Sequence, residues 1–341
     1  LKDINIIKNK QPIMSYKIKK IDKENLSDAY WQKIYEHLKK YKEIKEPLNT
    51  FKASFLRWLN NGAISYLVYK NDKAVGSFAF SIFPLDKKQI FFHNRLLDAQ
   101  VEEKLLKEIF ERFLDYNPKG QFLHLRSENG TQDFIPSTLA VKEKEYRLLY
   151  KLDVSSLNEE ELLNNLNRYK RQYSDYSLKF YDLLPDELLK PYCNLYVKLG
   201  KEIPGLDPEN YTLTVERLKE RQESSTKFGQ SEFRYLLYDP TNNLIGITSL
   251  GVNKKNLTVG YQHFTGISKD YRGKGLSKYL KLAMLLKLKH HYPDLNKLET
   301  EIGKENSISI QMNESMGYKQ NGHRKIYFIP KQRIKDWLAV L

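Results

Sequence analysis

The stretch from Leu257 to Tyr318 constrains this chain more than any other, because a turn of glycines and cations joins a strand to a long helix there. Residues 257–267, LTVGYQHFTGI, alternate with the two-residue period of a strand and run into the polar turn SKDY. Arg272-Gly273-Lys274-Gly275-Leu276-Ser277 follows, and then about four turns of leucine-rich helix. The first amides of a helix have no intrahelical partner, and the helix dipole adds partial positive charge beside them, so such a turn is suited to an anion. Gly273 and Gly275 have no Cβ to hold a phosphate away from the backbone. Arg272 and Lys274 add full charges suited to a polyphosphate. The turn contains neither the G-x-G-x-x-G of dinucleotide sites nor the G-x-x-x-x-G-K-[ST] of P-loops.

What the run resembles is the acyl-CoA-binding motif of the GNAT superfamily of N-acetyltransferases, R/Q-x-x-G-x-G/A. Arg272 and Gly275 are in place, and Ser277 stands where Gly or Ala is usual. Thr265-Gly266-Ile267, the helix, the strand LETEI, Asn306 and Met316-Gly317-Tyr318 keep the order of the superfamily's second half. One departure lies on that strand, where Thr300 is followed by Glu301 and Ile302 in place of the frequent Thr-x-Asn. The resemblance implies a bacterial tandem-GNAT acetyltransferase with a duplicated layout similar to that of mycothiol synthase. The expected fold is α+β, with two tandem GNAT-like domains, each a mixed, mostly antiparallel sheet flanked by helices. Specific motifs cover 257–318; the rest of the chain matches in element order only.

At 341 residues the chain has room for two domains. No apolar run approaches the ~20 residues that span a bilayer, so no membrane partner is expected. A single cysteine, Cys193, excludes an intramolecular disulfide framework and fits a reducing, cytoplasmic setting. Its neighbours Tyr192, Leu195 and Tyr196 make it a buried structural thiol. Zinc spacings are absent, and no metal is expected. The net charge of +15 divides almost evenly between the halves, without a basic arm or block. It therefore reads as lysine usage, with no specific nucleic-acid partner.

Residues 1–13 read as an N-terminal extension, and alternation at Tyr16, Ile18 and Ile21 opens a first strand. Two helices, three strands, a helix over 99–115 and strands near 121–126 and 146–154 complete the GNAT order. Between the strand at Phe92 and that helix stand Asn94-Arg95-Leu96-Leu97-Asp98, with no glycine. Residues 14–154 are thus expected to form a degenerate GNAT-like domain, and 155–341 the acetyl-CoA-binding one. The loop over 200–210 is expected to shape the acceptor pocket.

Amide formation from a thioester needs a polarised carbonyl, a neutral attacking amine and a protonated leaving thiolate. By the resemblance, the strand carrying Thr265 and Ile267 pairs with pantetheine. Arg272, Gly273, Lys274, Gly275, Leu276 and Ser277 hold the pyrophosphate, and Asn306 holds pantetheine with its amide. His263 is the candidate base, its unperturbed pKa of about 6.5 suiting it to take a proton directly or through water; Glu301 is the second candidate. Two-residue alternation would set Tyr261, His263 and Thr265 on one face. The tyrosine that protonates the thiolate in many GNAT enzymes is replaced by Asn313, which has no titratable proton. The reading is an acetyl-CoA-dependent N-acetyltransferase of a small-molecule amine, acting by direct attack in a ternary complex, as a monomer or homodimer. Its alternatives are a non-catalytic acyl-CoA sensor and a tRNA-dependent aminoacyl transferase of cell-wall peptides.

Overall fold

Strand β1 (Tyr16–Lys20) opens the first of two compact units, which takes residues 1–144 and 325–341; the second takes 145–324. The computed structural model describes residues 16–25, 27–39, 47–60, 62–82, 89–96, 102–116, 119–128, 137–139, 144–204, 212–227, 230–253 and 256–341. The expected extension 1–13 lies outside them.

In the first unit, β1 is followed by α1 (Asp28–Lys39), α2 (Leu48–Asn60), β2 (Ile64–Lys70), β3 (Lys73–Ile82), β4 (Gln89–Leu96), α3 (Glu103–Tyr116) and β5 (Phe122–Glu128). Strands β1 to β4 pair antiparallel in sequence order, and β4 pairs parallel with β5. The β2–β3 turn is built on Asn71 and Asp72 at φ 50° and 59°, the two non-glycine types that best tolerate this region. Helix α3 places Leu105, Ile109, Phe110 and Phe113 at helical spacing against Phe78, Phe80, Ile90 and Leu123. Strand β4 runs on to Leu96, so Asn94 and Arg95 are ladder residues opposite Phe78 and Ser77. Residues 97–101, which hold the rest of the glycine-free connection, lie outside the described residues.

The second unit contains β6 (Glu145–Asp153), α4 (Glu159–Gln172), β7 (Ser177–Tyr181), α5 (Asp186–Gly200), α6 (Val215–Lys227), β8 (Gln230–Tyr238), β9 (Leu244–Asn253), β10 (Asn256–Ile267), α7 (Leu276–His291), β11 (Lys297–Gly303) and α8 (Ser307–Glu314). β12 (Lys319–Pro330) and α9 (Lys331–Val340) end the chain. Strands β7 to β10 pair antiparallel in order, and β10 pairs parallel with β11. The succession of senses is that of β1 to β5, so the halves repeat in strand pairing as well as in element order.

The units are cut elsewhere than at 154/155. Strand β6, expected to end the first domain, pairs antiparallel with β11 from Lys297↔Asp153 to Gly303↔Arg147 and belongs to the second unit. Conversely, residues 325–341 return to the first unit. There Ile329, Ile334 and Trp337 enter the core of Phe110 and Leu139, and the Trp337 indole donates to Thr138 Oγ1 at 2.8 Å. Each unit is closed by a segment from the other half of the sequence.

Helix α7 is apolar nearly all round because it is covered from more than one side. Met284, Leu285 and Leu288 meet Phe233, Leu250 and Leu298 of the sheet, while Tyr279, Leu282 and Ala283 share a core with Leu166, Tyr169 and Tyr173 of the α4 region. Helices α5 and α6 bring Leu189, Tyr192, Leu195, Leu199 and Leu218 to Leu236, Ile247 and Phe264. Cys193 lies in that core, where burial raises its thiol pKa to about 11, consistent with a structural thiol.

One residue of α7 breaks the pattern. Lys281 is buried, donates to Asn313 Oδ1 and lies 5.1 Å from the Tyr318 ring centroid. No carboxylate accompanies it, and burial lowers its pKa to about 7. The folded chain therefore sheds this proton near neutrality and the unfolded chain near pH ~10.4. Between the two the unfolded state binds more protons, so this group makes stability rise with pH; below pH ~7 the burial penalty is present in full. Chemical denaturation of wild type and Lys281→Met from pH 6 to 10 should show that rise in wild type and its loss in the variant. Parallel pH profiles would mean that Lys281 is not desolvated.

Candidate functional site

Strand β10 pairs with β11 only at Val259↔Lys297, Gly260↔Leu298 and Tyr261↔Glu299. After that β10 stays with β9 as far as Ile267↔Gly246, and β11 stays with β6 as far as Gly303↔Arg147. The strands part, and Thr300 Oγ1 donating to the Gln262 carbonyl at 3.1 Å spans the start of the gap. From there to Ile267 the β11-facing edge of β10 has no ladder partner among the described residues. Such an edge can take an extended ligand as though it were a strand.

At the same point β10 carries a bulge. Gln262 is opposite Leu250 and Phe264 is opposite Ser249, which leaves His263 as the extra residue. The bulge overturns the expected alternation. Thr265 is bonded to Thr248 Oγ1 at 2.7 Å and accepts from Gln262 Nε2 at 3.4 Å, in a buried polar knot. Phe264 instead joins the α5–α6 core. The His263 ring lies over Gly251, whose added Cβ would come within 2.5 Å of Nε2, so Gly251 makes room for the imidazole. Solvent reaches His263, yet the surrounding protein disfavours its charged form and lowers its pKa. The lowering favours the neutral imidazole, the form able to accept a proton, at pH 7.

Glu301, the other base candidate, is less available. Arg147 Nη1 lies 3.5 Å from its Oε2, and Arg324 donates to its Oε1. Both of its carboxylate oxygens are thus already engaged by guanidiniums.

Beyond Ile267, a single 3-10 turn over Lys269–Tyr271 leads to the glycine turn. Four contacts fix it from outside. Ser268 N donates to Ile245 O at 2.8 Å, Tyr271 to Asp239 Oδ2 at 2.6 Å, and Tyr173 to the Lys274 carbonyl. Arg272 Nε donates to Ile267 O at 2.9 Å while its other end pairs with Glu202. Asp239 also accepts from Thr241 and from Asn243 N at 2.8 Å; these bonds, that from Tyr271 foremost, hold its carboxyl pKa well below the usual range. Arg272, expected as a phosphate ligand, braces the turn in this structure.

Gly273 and Gly275 have φ of 76° and 79°, which explains the glycine at each position. They differ in surroundings. Around Gly273 a Cβ would meet no heavy atom within 4 Å, whereas at Gly275 it would meet Tyr169 at 3.2 Å. Gly273 borders open space, and Gly275 is needed for packing and as the left-handed N-cap of α7. No side chain caps α7, and no acidic residue lies in its first turn. Lys274 is exposed, with Nζ 5.4 Å from the Tyr271 ring. The Leu276 side chain is core, so only its amide can serve a ligand, as can that of half-buried Ser277. Asn306 caps α8 by accepting from Ser309 N at 3.2 Å, which leaves its Nδ2 to donate elsewhere. An uncapped helix start, an open glycine and a free strand edge in one unit fit the phosphate and the extended arm of CoA. Asn313 is buried against Lys281 and Ser309 O and faces no substrate.

Neither a protein-family match nor a match among curated proteins was found for this sequence. Solved structures do match. A "Tandem GNAT protein from the clavulanic acid biosynthesis pathway" superposes with a TM-score of 0.67 at 15% identity, over 93% of this chain and 99% of that one. The chain has a tandem GNAT fold. A GCN5-related N-acetyltransferase from Sphaerobacter thermophilus matches at TM-score 0.55 and 8% identity, over 93% and 96% of the two chains. Saccharomyces cerevisiae N-myristoyltransferase with bound myristoyl-CoA matches at TM-score 0.52 and 13% identity, over 92% and 80%.

Two features of this GNAT site had no signal in the alternation of residues: the bulge at His263 and the brace between Arg272 and Glu202. The pairing of Gly251 with an imidazole two strand positions away was equally hidden. Because Gly275 has positive φ and sits against Tyr169, Gly275→Val should cost about 1–3 kcal/mol of stability. Gly273→Ala, which meets no neighbour, should cost less. Thermal melts that rank the two the other way round would contradict this division of roles.

Proposed function

We propose that the protein is an acyl-CoA-dependent N-acyltransferase, with acetyl-CoA as donor and a small-molecule amine as acceptor. The observation that carries the reading is the parting of β10 from β11 directly before the uncapped start of α7. The free edge of β10 would hold pantetheine, and the amides from Gly273 to Ser277, helped by Lys274, would hold the pyrophosphate. Asn306 Nδ2 would donate to the pantetheine amides. Bound CoA would supply the acyl group as a thioester.

His263 would act as the base, directly or through one water, because it is neutral at pH 7 and open to the cleft. Backbone N–H groups at the bulge, released from the ladder, are suited to polarise the thioester carbonyl. The buried Asn313 supplies no proton to the thiolate, so solvent fills that role. A non-catalytic CoA sensor remains the second reading, favoured by the arginine clamp on Glu301 and by Asn313.

Acetyl-CoA should stabilise the protein by about 2.7 kcal/mol at one hundred times its dissociation constant. With an accepted amine, free thiol should be released. The acidic limb of kcat/KM should fall below the ordinary histidine value of about 6.5 and disappear in His263→Gln. CoA binding without thiol release across a broad amine panel would favour the sensor. Absence of CoA binding would sink both readings.

A further inference from the structure

On the α5–α6 side of the sheet, next to His263, the second unit gathers more arginine than it neutralises. Arg217 and Arg221 stand one turn apart on α6, so they share a face and repel one another. Arg221 Nε lies 3.0 Å from Glu232 Oε2, but the same oxygen is 2.9 Å from Arg234 Nη2. Glu232 is therefore shared by two guanidiniums. Glu301 is shared in the same way by Arg147 and Arg324, and Arg147 also holds Glu145. Arg217 forms no ion pair or side-chain hydrogen bond with any described residue, although it is half-buried. Five guanidiniums thus face four carboxylates, counting Glu220 beside Arg217.

These charges converge on the mouth of the β10–β11 gap. Arg217, Arg221, Arg147 and Glu232 all act on the Tyr196 hydroxyl. The Tyr196 ring packs on Phe264 with centroids 4.8 Å apart, and Phe264 directly follows His263. His263 itself feels Arg221, Arg234, Glu232 and Glu301. A half-buried guanidinium without a close ion pair costs free energy in the empty protein, even with Glu220 acting on it from further off, and an incoming anion offsets that cost. Desolvation works against Arg217 holding its proton, Glu220 favours it and Arg221 opposes it, so an incoming anion would act in the same direction as Glu220.

We propose that Arg217, assisted by Arg221, anchors a compact anion on the acceptor, so that the substrate is an amine carrying a carboxylate or a phosphate. The proposal rests on the acyltransferase reading for the amine end, and on the arginine cluster alone for the anionic end. Arg217 is a binding residue here. The anion docks on α6, and the amine is carried towards His263 and the thioester.

The test compares charged and neutral twins at saturating acetyl-CoA. Glycine, β-alanine, γ-aminobutyrate and ε-aminocaproate are each set against their amides, and phosphoethanolamine against ethanolamine. At least one anionic member should exceed its twin in kcat/KM by about tenfold or more, with the advantage shrinking as salt is raised. The carboxylate and phosphate arms identify which anion is preferred. In Arg217→Gln the anionic-to-neutral ratio should fall by about tenfold, through KM rather than kcat, and Arg217→Lys should recover part of it. Calorimetric titration of the same anionic amines into CoA-free protein gives a second readout, with heats lost in Arg217→Gln. Wild-type ratios near unity throughout, an unchanged ratio in Arg217→Gln, or neither turnover nor binding of any anionic member overturns the proposal. A parallel CoA titration keeps the outcomes apart, since lost CoA binding refutes the acyltransferase reading while anion binding is still measured.

Discussion

Backbone N–H and C=O groups buried without partners are costly, and the second unit leaves a row of them open along β10. Parallel pairing with β11 ends at Tyr261↔Glu299, although both strands continue. The parting holds because each strand has a stronger commitment elsewhere: β10 to β9 through Gly246, and β11 to β6 through Arg147. The buried knot of Gln262, Thr248 and Thr265 ties the start of the open edge to β9. A strand edge left open in this way is one that an extended ligand could join. The His263 bulge lies on the strand that borders the gap, and the glycine turn follows that strand.

The same gap explains why side chains with obvious chemistry are occupied by structure. Arg272 braces the turn, Asn306 caps a helix, and Glu301 is clamped. What remains for a ligand is mostly backbone, which suits recognition of a cofactor through its phosphates and amides. Under the proposal for Arg217, selectivity for the acceptor would come from the α5–α6 side.

Much of this was legible in the residues. The glycine turn, the helix behind it and the strand in front needed only periodicity and the conformational range of glycine, and they fall where expected. The duplication was legible as element order and is now visible as repeated strand senses. Other features were not local enough to read. One extra residue at His263 turns Thr265 away from the face that alternation assigns it, because a bulge depends on the partner strand. Gly251 clears space for an imidazole on the neighbouring strand. Lys281 reads as a slip in a leucine pattern until Asn313 is seen opposite. The place of β6 was hidden for the same reason, since it is defined by β11, about 150 residues further on.

The exchange of closing segments also orders events in time. Residues 145–324 are contiguous, so the second unit can assemble as soon as they have left the ribosome. The first unit lacks Ile334 and Trp337 until almost the whole of this sequence has been made. The usual N-terminal-first order of synthesis-coupled folding is thereby reversed. A chain ending at residue 324 and freed from the ribosome should show protease protection over 145–324 and none over the earlier residues. During that interval Phe78, Phe80 and Phe110 lack part of the core that covers them, which is apolar surface open to aggregation.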